Sequence, residues 1–334
     1  MRILITGGTG YIGSHVAIDI LNNQHDLCII DNLSNSKVNT IKKIKSITSK
    51  LPEFYKCSIN DKKSLNMIFS QFKPEVVMHF AGLKSVNESM IFPMKYYENN
   101  VLGTINLLNI MERNNCNNII FSSSATVYGL PNYSPCDEAH IISPINPYGK
   151  SKYFIEEIIK DWVVSGNRKS IILRYFNPVG AHKSGLIGEL PNGTPNNLFP
   201  FITGVISESY EYLSVYGDDY KTRDGTGVRD YIHVADIAEA HVKSLNLLNE
   251  EMKSEIINLG TGKGFSVLEI INQFETLIKR KLPYKFKPKR SGDAPELIAN
   301  NQKAKQLLNW EIKNNLEEIC KDTLRWLYYY RGIK

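Results

Sequence analysis

The run Thr6-Gly7-Gly8-Thr9-Gly10-Tyr11-Ile12-Gly13 follows a strand-length apolar segment, Ile3–Thr6, and opens a helix-length pattern over 12–23. Glycines at 7, 10 and 13 let backbone amides approach a pyrophosphate, and the helix behind them offers unpaired N–H groups and a positive dipole end. A tight strand-to-helix turn would want glycine for steric reasons alone, so the next strand carries weight. It ends at Asp31, eighteen residues past Gly13, near the roughly 20-residue interval at which an acid reaches an adenosine ribose. A carboxylate there accepts from the 2′-hydroxyl and repels a 2′-phosphate, which selects NAD over NADP. A plain turn or cap residue is the other reading of Asp31.

Strand-length runs recur at Leu27–Asp31, Glu53–Ile59, Val76–Ala81, Ile119–Ser123 and Ile171–Phe176, separated by helix patterns over 62–71, 95–113 and 148–164. This alternation predicts an α/β fold, a doubly wound Rossmann-type parallel sheet covered on both faces. Pro93 and Pro147 sit where a first helical turn tolerates proline. After Pro178 the segments 188–195 and 217–227 read as long loops, and periodicity returns in 233–248, 266–280 and 315–330, with a short strand at Ile256–Leu259. We therefore expect an NAD-binding domain over 1–176 and a smaller mixed α/β substrate lobe over 177–334, with segments such as 230–260 returning to the sheet.

With 334 residues, 42% of them hydrophobic, the chain can bury a large core. Its net charge of +6 comes from interspersed charges and lacks the charge block of a nucleic-acid binder. The cluster from Lys279 to Arg290 is the exception: a solvated stretch on one reading, a site for a phosphorylated ligand on the other. Five separated cysteines form no zinc or dithiol spacing, so neither a metal nor a disulfide is expected. Met1 leads almost directly into a strand and no apolar run is long enough to span a bilayer, which points to the cytoplasm.

Ser122-Ser123-Ser124-Ala125-Thr126 lies just past the fifth strand pattern, where open α/β sheets place ligands. Downstream, Tyr148 and Lys152 stand four residues apart and would share one helix face. A phenol becomes a base at neutral pH only if its pKa falls about three units, equivalent to about 4 kcal/mol. Lys152 and a cationic nicotinamide together would supply that. By spacing alone an amphipathic helix with a packing Tyr and an exposed Lys is the commoner reading, and the glycine turn and serine strand end reverse that order.

At these residues the sequence resembles the extended short-chain dehydrogenase/reductase superfamily and, within it, the UDP-sugar 4-epimerases. The likeness runs through Gly7–His15, His79–Lys84, Phe121–Gly129, Arg174–His182, Asn196–Leu198 and Gly227–His233. It implies that Tyr148 removes the sugar's 4-hydroxyl proton, with Ser124 bonding that oxygen and Lys152 supporting it. Bound NAD would store the hydride, interconverting UDP-glucose and UDP-galactose through a 4-keto sugar. By the same resemblance Tyr11, Ile12, Asn32, Phe80, Ala81 and Lys84 contact NAD, joined by Asn99, Ser122, Tyr148, Lys152 and Tyr175. Ser58 and Ile59 stand where many members have an acid facing adenine. The UDP-sugar would be held by Lys84, Ser124, Tyr148, Asn177, Asn197 and Leu198, and by Arg229, Arg290, Asp293 and Leu297. The two arginines also suit a diphosphate on chemical grounds, although either would serve as a surface charge.

Leu297 stands where relatives restricted to UDP-glucose carry a Tyr, so room for a 2-acetamido group, and hence UDP-GlcNAc or UDP-GalNAc, is a further expectation. An enzyme acting mainly on those sugars and a non-catalytic NAD-binding sensor are the alternatives. A 4,6-dehydratase would need an Asp-Glu pair where Ala125-Thr126 stand, and a net dehydrogenase would release NADH. The resemblance further implies a homodimer through the helices near 95–113 and 148–164.

Overall fold

Strands buried on both faces send alternate side chains into different layers. Ile3 and Ile5 enter one core while Leu4 between them enters another; Leu27 and Ile29 oppose Cys28 and Ile30, and Ile171 and Leu173 oppose Ile172. Each such Ile or Leu contributes about 1.5–3 kcal/mol by leaving water. The computed structural model describes residues 1–190, 195, 197–249, 253–290 and 292–332. Residues 191–194 of the expected 188–195 loop and Asn196 of the resemblance lie outside the described residues.

The strands β1 (Arg2–Thr6), β2 (Asp26–Asp31), β3 (Glu53–Lys56), β4 (Val76–His79), β5 (Asn118–Ser124) and β6 (Lys169–Tyr175) form the sheet with a late arrival. Two short strands, β7 (Asn177–Val179) and β8 (Leu213–Tyr216), and then β9 (Val228–Arg229) and β10 (Tyr231–His233), lie outside it. The late arrival is β11 (Ser254–Leu259), which pairs in parallel with β6. The order β3-β2-β1-β4-β5-β6-β11 is parallel throughout and reverses direction between β1 and β4, opening a crevice at their C-terminal ends. Thr6 and His79 are register partners at its floor.

One face carries α1 (Tyr11–Asn22) and α2 (Asn39–Thr48); the other carries α3 (Lys62–Phe72). The expected helix over 95–113 is interrupted. Two short helices, α4 (Val86–Ile91) and α5 (Pro93–Tyr96), lead into a π-helical turn, Tyr97–Leu102, before α6 (Gly103–Arg113). The helix α7 (Pro147–Val164) is capped by Asn146, whose side chain accepts from the Gly149 N–H, and it packs with α3 and α6. Neither α2, where little beyond Ile41 and Ile44 is buried, nor α8 (Leu198–Ile206), inside the region expected to be loop-rich, is among the expected helices. The segment 217–227 carries no helix or strand.

Past β10, α9 (Val234–Leu247) returns to α1, completing the first face. The strand β12 (Phe265–Ser266), helix α10 (Val267–Ile278), strands β13 (Tyr284–Lys287) and β14 (Glu296–Leu297), and helices α11 (Gln302–Leu308) and α12 (Leu316–Arg331) complete the chain. A third core of α8, α10, α12 and β8 side chains, including Phe199, Phe274 and Trp326, is separate from the two flanking the sheet.

Candidate active site

The glycine turn is shaped by close approach rather than by flexibility alone. Gly7 has φ of +70°, and a Cβ there would lie 2.8 Å from the Ala81 nitrogen; one on Gly13 would lie 2.4 Å from the Gly7 carbonyl oxygen. Gly10 caps α1 without a side chain, so the first-turn amides around Tyr11, Ile12 and Gly13 have no side-chain acceptor. Such a cradle fits a diphosphate. Phe80 and Ala81 border it from the end of β4, with the Ala81 N–H bonded to the Thr6 hydroxyl at 3.2 Å.

Asp31 serves both of its readings. One carboxylate oxygen accepts from the Thr9 N–H at 3.1 Å, and the other accepts from the Leu33 N–H at 2.8 Å and the Ser36 hydroxyl at 3.0 Å. It thus braces the glycine turn while lying at the carboxyl end of β2, where a ribose would meet it. Asn32 accepts from the Ser34 N–H at 3.0 Å, and the Ser58 hydroxyl accepts from the Asn60 N–H at 3.2 Å beside buried Ile59.

The π-helical turn brings Asn99 and Asn100 to the same rim. Asn100, which the sequence reading passed over, accepts from the Leu83 N–H at 2.8 Å and donates to the Leu83 carbonyl at 3.0 Å, clamping the turn that carries Lys84. Asn99 donates to it at 2.9 Å. Two adjacent asparagines inside a helical pattern were the available signal.

Ser124 and Tyr148 are brought together, the Ser124 hydroxyl close enough to favour the phenolate. Burial pushes that phenol up, while Ser124 and the nearby charge of Lys84 pull it down without reversing the shift. Lys152 instead donates to the Ser122 carbonyl at 2.7 Å, its nitrogen 6.0 Å from the Tyr148 ring centre. Burial lowers the Lys152 pKa to about 8 against the opposing pull of Glu156. Lys84 is thus a cation near the phenol to which the helical spacing of Tyr148 and Lys152 gave no pointer. Lys84 itself is held by Glu189 at 2.7 Å; burial works against its charge, but that carboxylate more than offsets it and raises the pKa. Tyr175, expected at the cofactor, bonds His241 through its hydroxyl at 2.6 Å.

On the other lobe, Asp293 lies 3.7 Å from Arg229 and 2.8 Å from Arg290, gathering both guanidinium groups. Arg290 also stacks over Tyr216, 4.9 Å from its ring centre. Tyr216 ends β8 half-exposed, an aromatic surface that the sequence reading did not single out. Asn177 begins β7 in register with Tyr231, and Asn197 precedes α8 with its amide toward Glu189 at 3.4 Å. Leu198 packs on the third core. Leu297 pairs with Arg229 on β9 and packs against the small core that Ala125, Val127, Tyr128, Cys136, Phe176 and Ala299 form. Among the described residues no cluster of potential metal ligands occurs.

A family model described as GDP-mannose 4,6 dehydratase matches residues 4–323. The chain is 48% identical to the UDP-glucose 4-epimerase of Bacillus subtilis (strain 168), over 98% of this chain and 96% of that one. It is 46% identical to UDP-glucose 4-epimerase 2 of Arabidopsis thaliana, over 97% and 94%. This chain belongs to the UDP-glucose 4-epimerase family. Among solved epimerases of this family, that of Stenotrophomonas maltophila, with bound NAD and formylated UDP-arabinopyranose, covers 100% of both chains with a TM-score of 0.97 at 40% identity. That of Bifidobacterium longum, in complex with NAD+ and UDP, covers 100% of both with a TM-score of 0.96 at 40% identity. The dehydratase description belongs to the wider model; here Ala125 and Thr126 follow Ser124.

Proposed function

We propose that the protein is a UDP-glucose 4-epimerase, interconverting UDP-glucose and UDP-galactose through a transient 4-keto sugar with NAD in the cradle between β1 and α1. The observation that carries this reading is the Ser124 hydroxyl set beside the Tyr148 phenol. NAD+, when bound, takes a hydride from C4 of the sugar and returns it to the other face, with no net redox change. Tyr148 accepts the 4-hydroxyl proton and later gives it back. Ser124 holds the oxygen between those two events. Lys84 keeps positive charge beside the phenol, while Lys152, anchored on Ser122, fixes the end of β5. Arg229 and Arg290, gathered by Asp293, neutralise the diphosphate. Asn177, Asn197 and Leu198 line the sugar-nucleotide path, and Tyr216 offers a flat face to a base.

In this reading residues 1–176 hold the cofactor and 177–334 the UDP-sugar, with β11 as the returning segment. The relatives described above favour it over an enzyme acting mainly on N-acetylated UDP-sugars, and a non-catalytic NAD sensor has no use for Ser124 beside Tyr148. A homodimer is part of the proposal. Its support is the exposed apolar surface of Met90, Ile91, Phe92, Met94 and Leu102 near Phe154 of α7, and a monomer by light scattering would overturn it. Five buried, unpaired cysteines support a reducing, cytoplasmic setting.

Incubation with UDP-galactose should yield UDP-glucose without accumulation of NADH. Tyr148→Phe should lose about 10³-fold in kcat while still binding UDP. Stoichiometric NADH, or full activity in that variant, would overturn the reading.

A further inference from the structure

Three consecutive residues of β5 are held by three residues of α7 spaced four apart. Lys152 takes the Ser122 carbonyl, Glu156 takes the Ser123 hydroxyl, and Tyr148 stands beside the Ser124 hydroxyl. The strand's alternation explains the choice of groups. Ser123 shares its side with Phe121, which faces the α7 layer, so its hydroxyl meets the helix. Ser122 points the other way and is reached through its backbone oxygen.

Glu156 is the middle grip and has no solvent exposure. Arg174, the register partner of Ser123 on β6, donates to both of its oxygens, at 3.0 and 2.6 Å. Arg174 also donates to the Tyr128 hydroxyl at 3.0 Å, and Tyr128 donates to Asn258 of β11 at 2.6 Å. One buried carboxylate thus ties α7, β5, β6 and the turn after Ser124 together. An apolar packing of the same volume would often be equally stable, so stability alone does not account for an ion pair in this place.

We propose that Glu156 is a positioning residue of the active site, seating the serine strand end against α7 and balancing the charge of Lys152. This rests on the epimerase reading. The titratable and charged groups around Lys152 are His79 of β4, Tyr148 and Glu156 of α7, and, beyond Glu156 and Ser122, Arg174 and Tyr175 of β6. Burial and then Lys152 hold His79 at about 3, and burial pushes Tyr175 up, so neither changes charge near neutrality. Glu156 is the counter-charge that keeps Lys152 protonated against burial.

The test is the paired variant Glu156→Gln with Arg174→Met, which removes both buried charges together. The alkaline limb of its kcat profile should move down by about one pH unit, with KM for UDP-galactose within about twofold and UDP binding retained. A profile superimposable on that of the unaltered protein overturns the proposal. Should the paired variant fail to fold, Ser123→Ala leaves the ion pair intact and removes only the grip; kcat should fall roughly tenfold at unchanged KM, and an unchanged kcat overturns the proposal. Absence of UDP-galactose turnover by the unaltered protein is a different failure, that of the epimerase reading itself.

Discussion

The Lys84 ammonium lies 2.7 Å from the Glu189 carboxylate, joining the turn after β4 to the loop after β7 across the mouth of the active site. The same oxygen of Glu189 also faces the Asn197 amide at 3.4 Å. The charge of Lys84 favours the Tyr148 phenolate, so the pair bears on proton transfer.

Replacing Lys84 with Met removes the charge that favours phenolate. The acid limb of kcat should move to higher pH, with kcat near neutrality falling about tenfold for a one-unit shift. Glu189→Gln should move the limb the other way, because the ammonium then acts on the phenol uncompensated. Profiles of kcat against pH for UDP-galactose check both, and movement in the same direction would contradict the arrangement.

Gly13→Ala should abolish cofactor retention. Its methyl would sit 2.4 Å from the Gly7 oxygen and 2.9 Å from Gly8 Cα, both backbone atoms that cannot swing aside. Fluorescence titration with NAD should show at least about hundredfold weaker binding, a loss of roughly 2.7 kcal/mol.

Leu297 packs against the small core that includes Ala125, just past the serine strand. Leu297→Tyr should fill the space a 2-acetamido group would use, removing any turnover of UDP-N-acetylgalactosamine while leaving UDP-galactose within severalfold. Competition assays with the two sugars measure the ratio directly.

Asp19 offers a stability test away from the site. Burial, and then Glu239, raise its carboxyl to about 6, against Lys183 and Lys313. The folded carboxyl binds a proton that the unfolded chain releases, so between about pH 4 and pH 6 stability falls as pH rises, and the cost persists above. Asp19→Asn should therefore gain about 1–2 kcal/mol near pH 8 and little near pH 4. Thermal melts at the two pH values decide it.

Much of this was legible in the sequence where one local rule suffices. The glycine turn, Asp31 at a strand end and the strand alternation each follow from backbone sterics or burial on two faces. Helix α2 was missed because its inward face is little more than Ile41 and Ile44, and α8 because Pro200 and Gly204 sit among its apolar residues. The pairings Lys84–Glu189 and Arg174–Glu156 join residues 105 and 18 positions apart, and only the folded chain brings them together. The helical spacing of Tyr148 and Lys152 was legible, but the Lys152 bond to the Ser122 carbonyl was not. Leu297 was visible as a position, but its pairing with Arg229 was not.

Because β11 completes the sheet beside β6, the two lobes are threaded through one another rather than strung in sequence. A ribosome that has released only residues 1–176 presents β6 with its outer edge unpaired and α1 without the cover of α9. The sheet closes only after Leu259 has emerged, by which time α8 and β8 of the opposite lobe have already been made. Chain growth thus commits the halves to fold together, and a fragment ending after β6 should be a substrate for chaperones rather than a stable nucleotide-binding module.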